Sequence, residues 1–196
     1  MIITLTDFGN SEYLGIVKGV IYSIAPKAHI SELYNAVNPF SIKEASWILF
    51  NNYNYFPKKT IFLCIVDPTV GSNRQAIAIE TRNYFFIGPD NGLLYEILQK
   101  EKPIRIIQLS TRNASNTFQA RDVFAKAAAM LENKKKITSL GKTTKLHFKL
   151  EFYLNERTGE IIRIDTFGNI ITNIPHSNKD NYILKYKNKQ LKCSNT

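Results

Sequence analysis

Apolar positions fall into short runs and helical stripes from the start of the chain. Residues 2–5, "IITL", read as a short buried strand. In "NSEYLGIVKGVIYSIAP", Leu14, Val17, Ile21 and Ile24 recur at helical spacing, between an Asn/Ser start and a Pro26 stop. "SIKEASWILFNNY" opens with Ser41 and Glu44 in capping-box register, which predicts a second helix. Residues 60–66 form a β-rich run. "QAIAIETRNYFFIGPD" reads as two strands around a Thr-Arg-Asn turn. Asn91 is placed to cap a helix through "GLLYEILQK", "IRIIQLS" is a further strand, and "RDVFAKAAAMLEN" a further helix.

This alternation predicts an α/β domain over residues 1–150, with a central, largely parallel sheet flanked by helices. Beyond it the period changes. "EIIRIDTFGNIITNI" and "YILKYKNKQLK" are strand-like with no helix between them, and Leu184 and Tyr186 alternate with Lys185 and Lys187. Residues 157–196 are therefore expected to form a small C-terminal β domain.

Composition adds limits. With 44% hydrophobic residues, a chain of 196 residues has ample material for a core. No run approaches the roughly 20 apolar residues of a membrane span, and the chain enters "MIITL" with no basic leader, so no membrane partner and a cytoplasmic location are expected. Cys64 and Cys193 have the pattern of reduced thiols. The net charge of +10 favours anionic partners, yet the lysines are scattered and no nucleic-acid motif accompanies them. General composition accounts for them better than a nucleic-acid partner does.

The chemistry concentrates where strands end. "IITLTD", "FLCIVD" and "YFFIGPD" finish at Asp7, Asp67 and Asp90, and ligands of open α/β sheets bind outside the carboxyl ends of strands. Taken singly, each aspartate is ordinarily a turn former or cap. Together they suggest a shared rim suited to vicinal hydroxyls or a cationic centre, since a carboxylate accepts two hydrogen bonds and repels phosphate. Neither a GxGxxG nor a Gly-x4-Gly-Lys-Ser/Thr loop is present, which argues against nucleotide triphosphate chemistry. His29, His147 and His176 share no paired metal-ligand spacing, so metal binding is poorly supported, and no cofactor is expected. Arg74 follows Asp67 after a Gly71 turn, and the bland reading of that pair is a surface ion pair.

"TLTDFGNSEYLGIVKGVIYSIAP", "VDPTVGSNR", "PDNGLL", "TFQARDVFA" and "DTFGNIITNI" together resemble, in order and approximate spacing, the S-adenosylmethionine hydroxide adenosyltransferases, relatives of the adenosyl fluorinase and chlorinase. The resemblance runs over essentially the whole chain. It implies a homotrimer, with each site between one subunit's α/β domain and a neighbour's C-terminal β-barrel. The implied reaction is displacement at the ribose 5′ carbon by water, giving adenosine and methionine. The fluorinase's long insertion is absent between residues 74 and 90, which favours water over halide.

Carried over by position, the resemblance assigns Asp7 to the ribose diol and Phe40 to packing on the ribose. Asp67 and Arg74 become two members of a water-positioning triad. Thr117, Phe118, Gln119 and Ala120 line the methionine and sulfur side. From the neighbouring subunit, Asp165 meets the methionine amine, while Phe167 and Asn169 face the adenine. For Phe40 and Phe167 a place in plain core is the competing reading.

Two departures from the family pattern bear on activity. Gln119 and Ala120 stand where the family's Thr-Phe-His-Gly-Arg-Asp stretch has histidine and glycine, and Asn35 stands for a second family histidine. The family also continues through several more barrel strands, so residues 157–196 are expected to form an incomplete β-barrel. The readings rank in this order: a slow S-adenosylmethionine hydrolase, a non-catalytic binder of adenosine or S-adenosylmethionine, and a basic nucleic-acid-associated protein.

Overall fold

The computed structural model describes residues 1–176, 183–187 and 189–191. Cys193 lies outside them. The chain divides into two compact units, Met1–Glu151 and Phe152–Thr196.

In the first unit the elements run β1 (Ile2–Thr6), α1 (Tyr13–Ile24), β2 (Ile30–Tyr34), α2 (Ile42–Asn52), β3 (Ile61–Ile65), β4 (Ala76–Thr81), β5 (Phe85–Pro89), α3 (Tyr95–Lys100) and β6 (Pro103–Leu109). A π-helical turn (Ala120–Phe124) then leads into α4 (Ala125–Glu132), and β7 (Gly141–Thr143) ends the sheet. The seven strands are ordered β2-β1-β3-β5-β4-β6-β7. β2, β1, β3 and β5 pair in parallel, while β4 runs antiparallel to both β5 and β6, and β7 antiparallel to β6. Five of the seven strands thus point the same way, and their carboxyl ends share one rim. This is the expected α/β class.

β1 and β3 are buried at every position because both faces of the sheet are covered. Alternate residues feed two cores. Ile2, Leu63, Ile65 and Ile87 pack with Val17 and Ile21 of α1 and with Phe124 and Ala128 at the α4 end. Ile3, Leu5, Phe62 and Phe86 pack with Leu49 of α2 and Ile97 of α3. Cys64 belongs to this second core, and burial pushes its thiol far above the ordinary range, so it is chemically inert.

Two local expectations are corrected, and one strand went unread. β2 leaves no apolar run to read, because among the described residues it pairs with β1 alone and its burial is partial. Ser41 forms no side-chain cap on α2; Glu44 turns instead to Asn38. Asn91 does not cap α3, which begins at Tyr95. Its amide donates to Val66 O (2.9 Å) and its carbonyl accepts the Leu93 N–H (3.2 Å), shaping the turn before the helix.

The second unit holds short antiparallel hairpins. β8 (Leu154–Asn155) pairs with β9 (Thr158–Gly159), β10 (Ile161–Ile164) with β11 (Ile170–Thr172), and β12 (Leu184–Tyr186) with β13 (Lys189–Leu191). The second and third hairpins fall in the two strand-like stretches read in the sequence, and the first lies before them.

Candidate active site

β3 leaves the sheet through buried Val66 and delivers Asp67 to the rim. The following residues turn sharply: the Ser72 N–H donates to Thr69 O (3.0 Å), and Gly71 adopts φ +80°. A Cβ on Gly71 would lie 2.4 Å from Asn116 O, so only glycine lets this turn pack against the backbone leading to Gln119. The turn sends Arg74 back onto Asp67. Arg74 Nε donates to both carboxylate oxygens (3.1 and 3.0 Å), and its Nη2 donates to Oδ2. This forked grip is buried, with the two side chains 2% and 7% exposed. It is not the surface ion pair of the bland reading.

Arg74 also donates from Nη2 to Gln119 Oε1 at 2.6 Å, and its guanidinium lies over the Phe124 ring at 5.5 Å. A guanidinium can only donate, so Gln119 must offer its carbonyl, and its amide NH2 points away from Arg74. Arg74 Nη1 is buried with no partner among the described residues. Gln119 stands at the entrance to the π-helical turn, itself 5% exposed, with Ala120 buried behind it. Asp122 braces the loop before it by accepting the Ser115 N–H (2.9 Å) and the Arg121 side chain. The bonds from Arg121, with lesser help from the Ser115 N–H, hold the Asp122 carboxyl down at about 2.

Asp7 extends β1 to the same rim. Burial pushes its carboxyl above the usual range; the Phe40 N–H pulls the other way, and the charge of Asp67 adds a little to the rise. That last influence places the two carboxylates in one field. The Phe40 N–H donates to Asp7 Oδ2 at 2.9 Å. Phe40 has φ +67° and a side chain 68% exposed, so it is no core residue. A bulky residue in this left-handed region costs on the order of 1–3 kcal/mol, and such strain clusters at functional sites. Asn35 steadies the other side of Asp7, accepting from the Thr6 hydroxyl and donating from Nδ2 to Gly9 O (2.9 Å).

Thr117 and Phe118 line a cavity of about 390 Å³ with Tyr13, Ser115 and Arg121. Phe8, Tyr13 and Phe118 meet edge to face, with centroids 5.8 and 5.2 Å apart. Tyr13, Ser115 and Arg121 were not singled out from the sequence. Tyr13 carried a signal, being an aromatic off the buried stripe of Leu14, Val17 and Ile21.

Asp90 sits at the rim but is spent elsewhere. Its carboxylate is buried and accepts the backbone N–H groups of His147 (2.9 Å) and Phe148 (3.4 Å), tying down the chain that leaves the sheet. It leaves the rim two working aspartates rather than three. In the second unit, Asp165 accepts the N–H groups of Phe167 (2.9 Å) and Asn169 (2.8 Å) and the Asn169 amide (2.9 Å). These bonds, the Asn169 amide foremost, hold its carboxyl below the usual range and shape a turn that leaves Phe167 88% exposed. Among the described residues, no group of three His, Cys, Asp or Glu is placed to hold a metal ion.

Residues 2–141 match the SAM hydroxide adenosyltransferase N-terminal domain. The chain belongs to that family. A protein of Methanocaldococcus jannaschii named (R)-S-adenosyl-L-methionine hydrolase is 38% identical, over 94% of this chain and 70% of the relative. One of the same name from Thermus thermophilus is 33% identical, over 87% of this chain and 72% of the relative. A fluorinase of Actinopolyspora mzabensis is more distant, at 21% identity over 89% of this chain and 71% of that one. The crystal structure of a conserved protein from Thermotoga maritima superposes with a TM-score of 0.82 at 36% identity, covering 89% of this chain and 72% of the other. No helix among the described residues is long and apolar enough to cross a membrane.

Proposed function

We propose that this member of the SAM hydroxide adenosyltransferase family hydrolyses S-adenosylmethionine to adenosine and methionine. The observation that carries the reading is the buried Asp67–Arg74–Gln119 cluster beside Asp7 on one rim of the sheet. Asp7 holds the ribose diol, and the exposed Phe40 ring covers the sugar. In the cavity the Tyr13 ring suits a sulfonium, because ring faces attract cations, while the Phe118 face already carries the Arg121 guanidinium at 5.2 Å.

The reaction asks little covalent chemistry of the protein. A water oxygen attacks the ribose 5′ carbon, the carbon–sulfur bond breaks, and its electron pair stays on sulfur as the neutral thioether of methionine. The water's proton leaves to solvent. The sulfonium is already a good leaving group, so alignment of the water and its shielding from bulk solvent supply most of the rate. No metal or cofactor enters. Arg74 fixes the Asp67 carboxylate, which orients the water, and the amide of Gln119 is left free to donate toward it.

Asp165, Phe167 and Asn169 act on the methionine amine and the adenine of a neighbouring subunit's substrate, within a cytoplasmic homotrimer. The support is the exposed Phe167 on a turn already fixed by its own hydrogen bonds.

Incubation with S-adenosylmethionine in ¹⁸O-labelled water tests the reading. Adenosine carrying the label, with unlabelled methionine, is the expected product pair. Labelled methionine, or products other than these, would refute displacement at the 5′ carbon, and light scattering that reports a monomer would refute the shared site. A second reading, a binder of S-adenosylmethionine or adenosine without turnover, is favoured by Gln119, whose amide does not titrate near neutral pH.

A further inference from the structure

Glu44 is a carboxylate that no step of the hydrolysis uses. It lies on α2 and is 1% exposed, and one of its oxygens accepts both the backbone N–H of Asn38 (3.0 Å) and the Asn38 side-chain amide (2.8 Å). Asn38 in turn closes a tight turn, its carbonyl accepting the Ser41 N–H at 2.9 Å. Within that turn Pro39 takes the second position and Phe40 the third. The third position carries the positive φ of 67°, which glycine ordinarily fills in a turn of this shape. The strained residue is the one whose N–H reaches Asp7 Oδ2. Glu44, Asn38, Phe40 and Asp7 therefore form one continuous path from a helix in the core to a carboxylate at the rim.

We propose that Glu44 is a positioning residue for the Asp7 carboxylate. By pinning Asn38 it keeps the turn closed with Phe40 in its left-handed conformation. The Phe40 N–H then fixes the rotation of Asp7, and the ring stands where it can cover a sugar. Without Glu44 the turn relaxes toward ordinary φ values, the N–H swings off Asp7, and one partner of a partly buried carboxylate is lost. Burying a charge demands hydrogen-bond partners, so Asp7 then reorients toward solvent and away from a bound diol. The inference rests on the reading of Asp7 as the diol ligand.

Calorimetry with adenosine and 2′,3′-dideoxyadenosine tests it, because only the first offers the diol. The wild type is expected to prefer adenosine, and Asp7→Ala to lose at least about tenfold in adenosine affinity while binding the dideoxy compound unchanged. Glu44→Ala is expected to reproduce this selective loss at about tenfold, Glu44→Gln to recover to within about threefold of wild type, and Glu44→Ala to add nothing in the Asp7→Ala background. Asn38→Ala removes one of the two bonds that Glu44 accepts, at an exposed residue, and leaves the backbone N–H bond in place, so it keeps the test open if Glu44→Ala does not fold; a smaller, still diol-dependent loss is expected. A wild type that binds both compounds equally overturns the diol assignment and this inference with it. A wild-type preference for adenosine that survives Glu44→Ala and Asn38→Ala, or a loss equal for both compounds, overturns the positioning role alone.

Discussion

Asp67→Ala is expected to lower stability by about 3–5 kcal/mol and to abolish hydrolysis. The Arg74 side chain is 2% exposed, and three of its donor contacts end on Asp67. Truncating the carboxylate leaves a guanidinium in the protein interior with Gln119 Oε1 as its remaining hydrogen-bond acceptor among the described residues, and with the Phe124 ring face. Breaking a buried pair at one end is costly for this reason, whereas replacing both partners by apolar groups of similar volume is often close to neutral. The double change Asp67→Leu with Arg74→Met should therefore recover most of the stability and none of the activity. Urea unfolding with an unchanged m-value measures the first quantity, and adenosine release the second. A loss below about 1 kcal/mol for Asp67→Ala, the range of exposed pairs, would mean that the pair is solvated in solution.

Gln119→His combined with Ala120→Gly is expected to raise the hydrolysis rate at least about tenfold, a modest fraction of what a general base typically contributes. Asp67 has its oxygens engaged by Arg74, so it is suited to hold a water and poorly placed to take its proton. Gln119 completes the hydrogen-bond chain and cannot titrate. An imidazole at this position has a single nitrogen lone pair, and with that lone pair turned to the water rather than to Arg74, which Asp67 still holds, it adds a group that exchanges protons near neutral pH. Ala120 is 6% exposed directly behind, so the glycine makes room for the ring, at a cost of about 1 kcal/mol in a helical turn. The rate at saturating S-adenosylmethionine is the measurement. Asp67→Ala in the restored background should abolish the gain. A wild type as fast as the restored variant would show that the proton reaches bulk water without help from the protein.

The fold was legible wherever one period dominated. α1 announces itself through Leu14, Val17 and Ile21, β3 through an unbroken apolar run and β1 through an apolar run interrupted by Thr4, because burial on a helix stripe or on both strand faces leaves a mark that local composition cannot imitate. β2 left no such mark. It is an edge strand, partly exposed, held by its pairing with β1 rather than by its own residues. The same limit applied to the caps: Ser41 and Asn91 have the right chemistry at the right spacing, yet Ser41 makes no side-chain cap bond, and the Asn91 side chain is taken by Val66 O and the Leu93 N–H.

The sequence by itself determined which residues end strands at the rim, and the ordered motifs pointed to the family. Strand-end position alone presented Asp7, Asp67 and Asp90 as equals, and only the resemblance gave roles to the first two. Tertiary structure separated them: Arg74 and Gln119 claim Asp67, the Phe40 N–H claims Asp7, and residues 147–148 claim Asp90. It also decided that the Asp67–Arg74 pair is buried and that Phe40 is strained and exposed, and it joined Glu44 to the rim through Asn38. The reason is physical. Apolar burial is written residue by residue and repeats with the period of the element, whereas a carboxylate's role depends on which donors the folded chain brings within about 3 Å of it, often from residues far away along the chain.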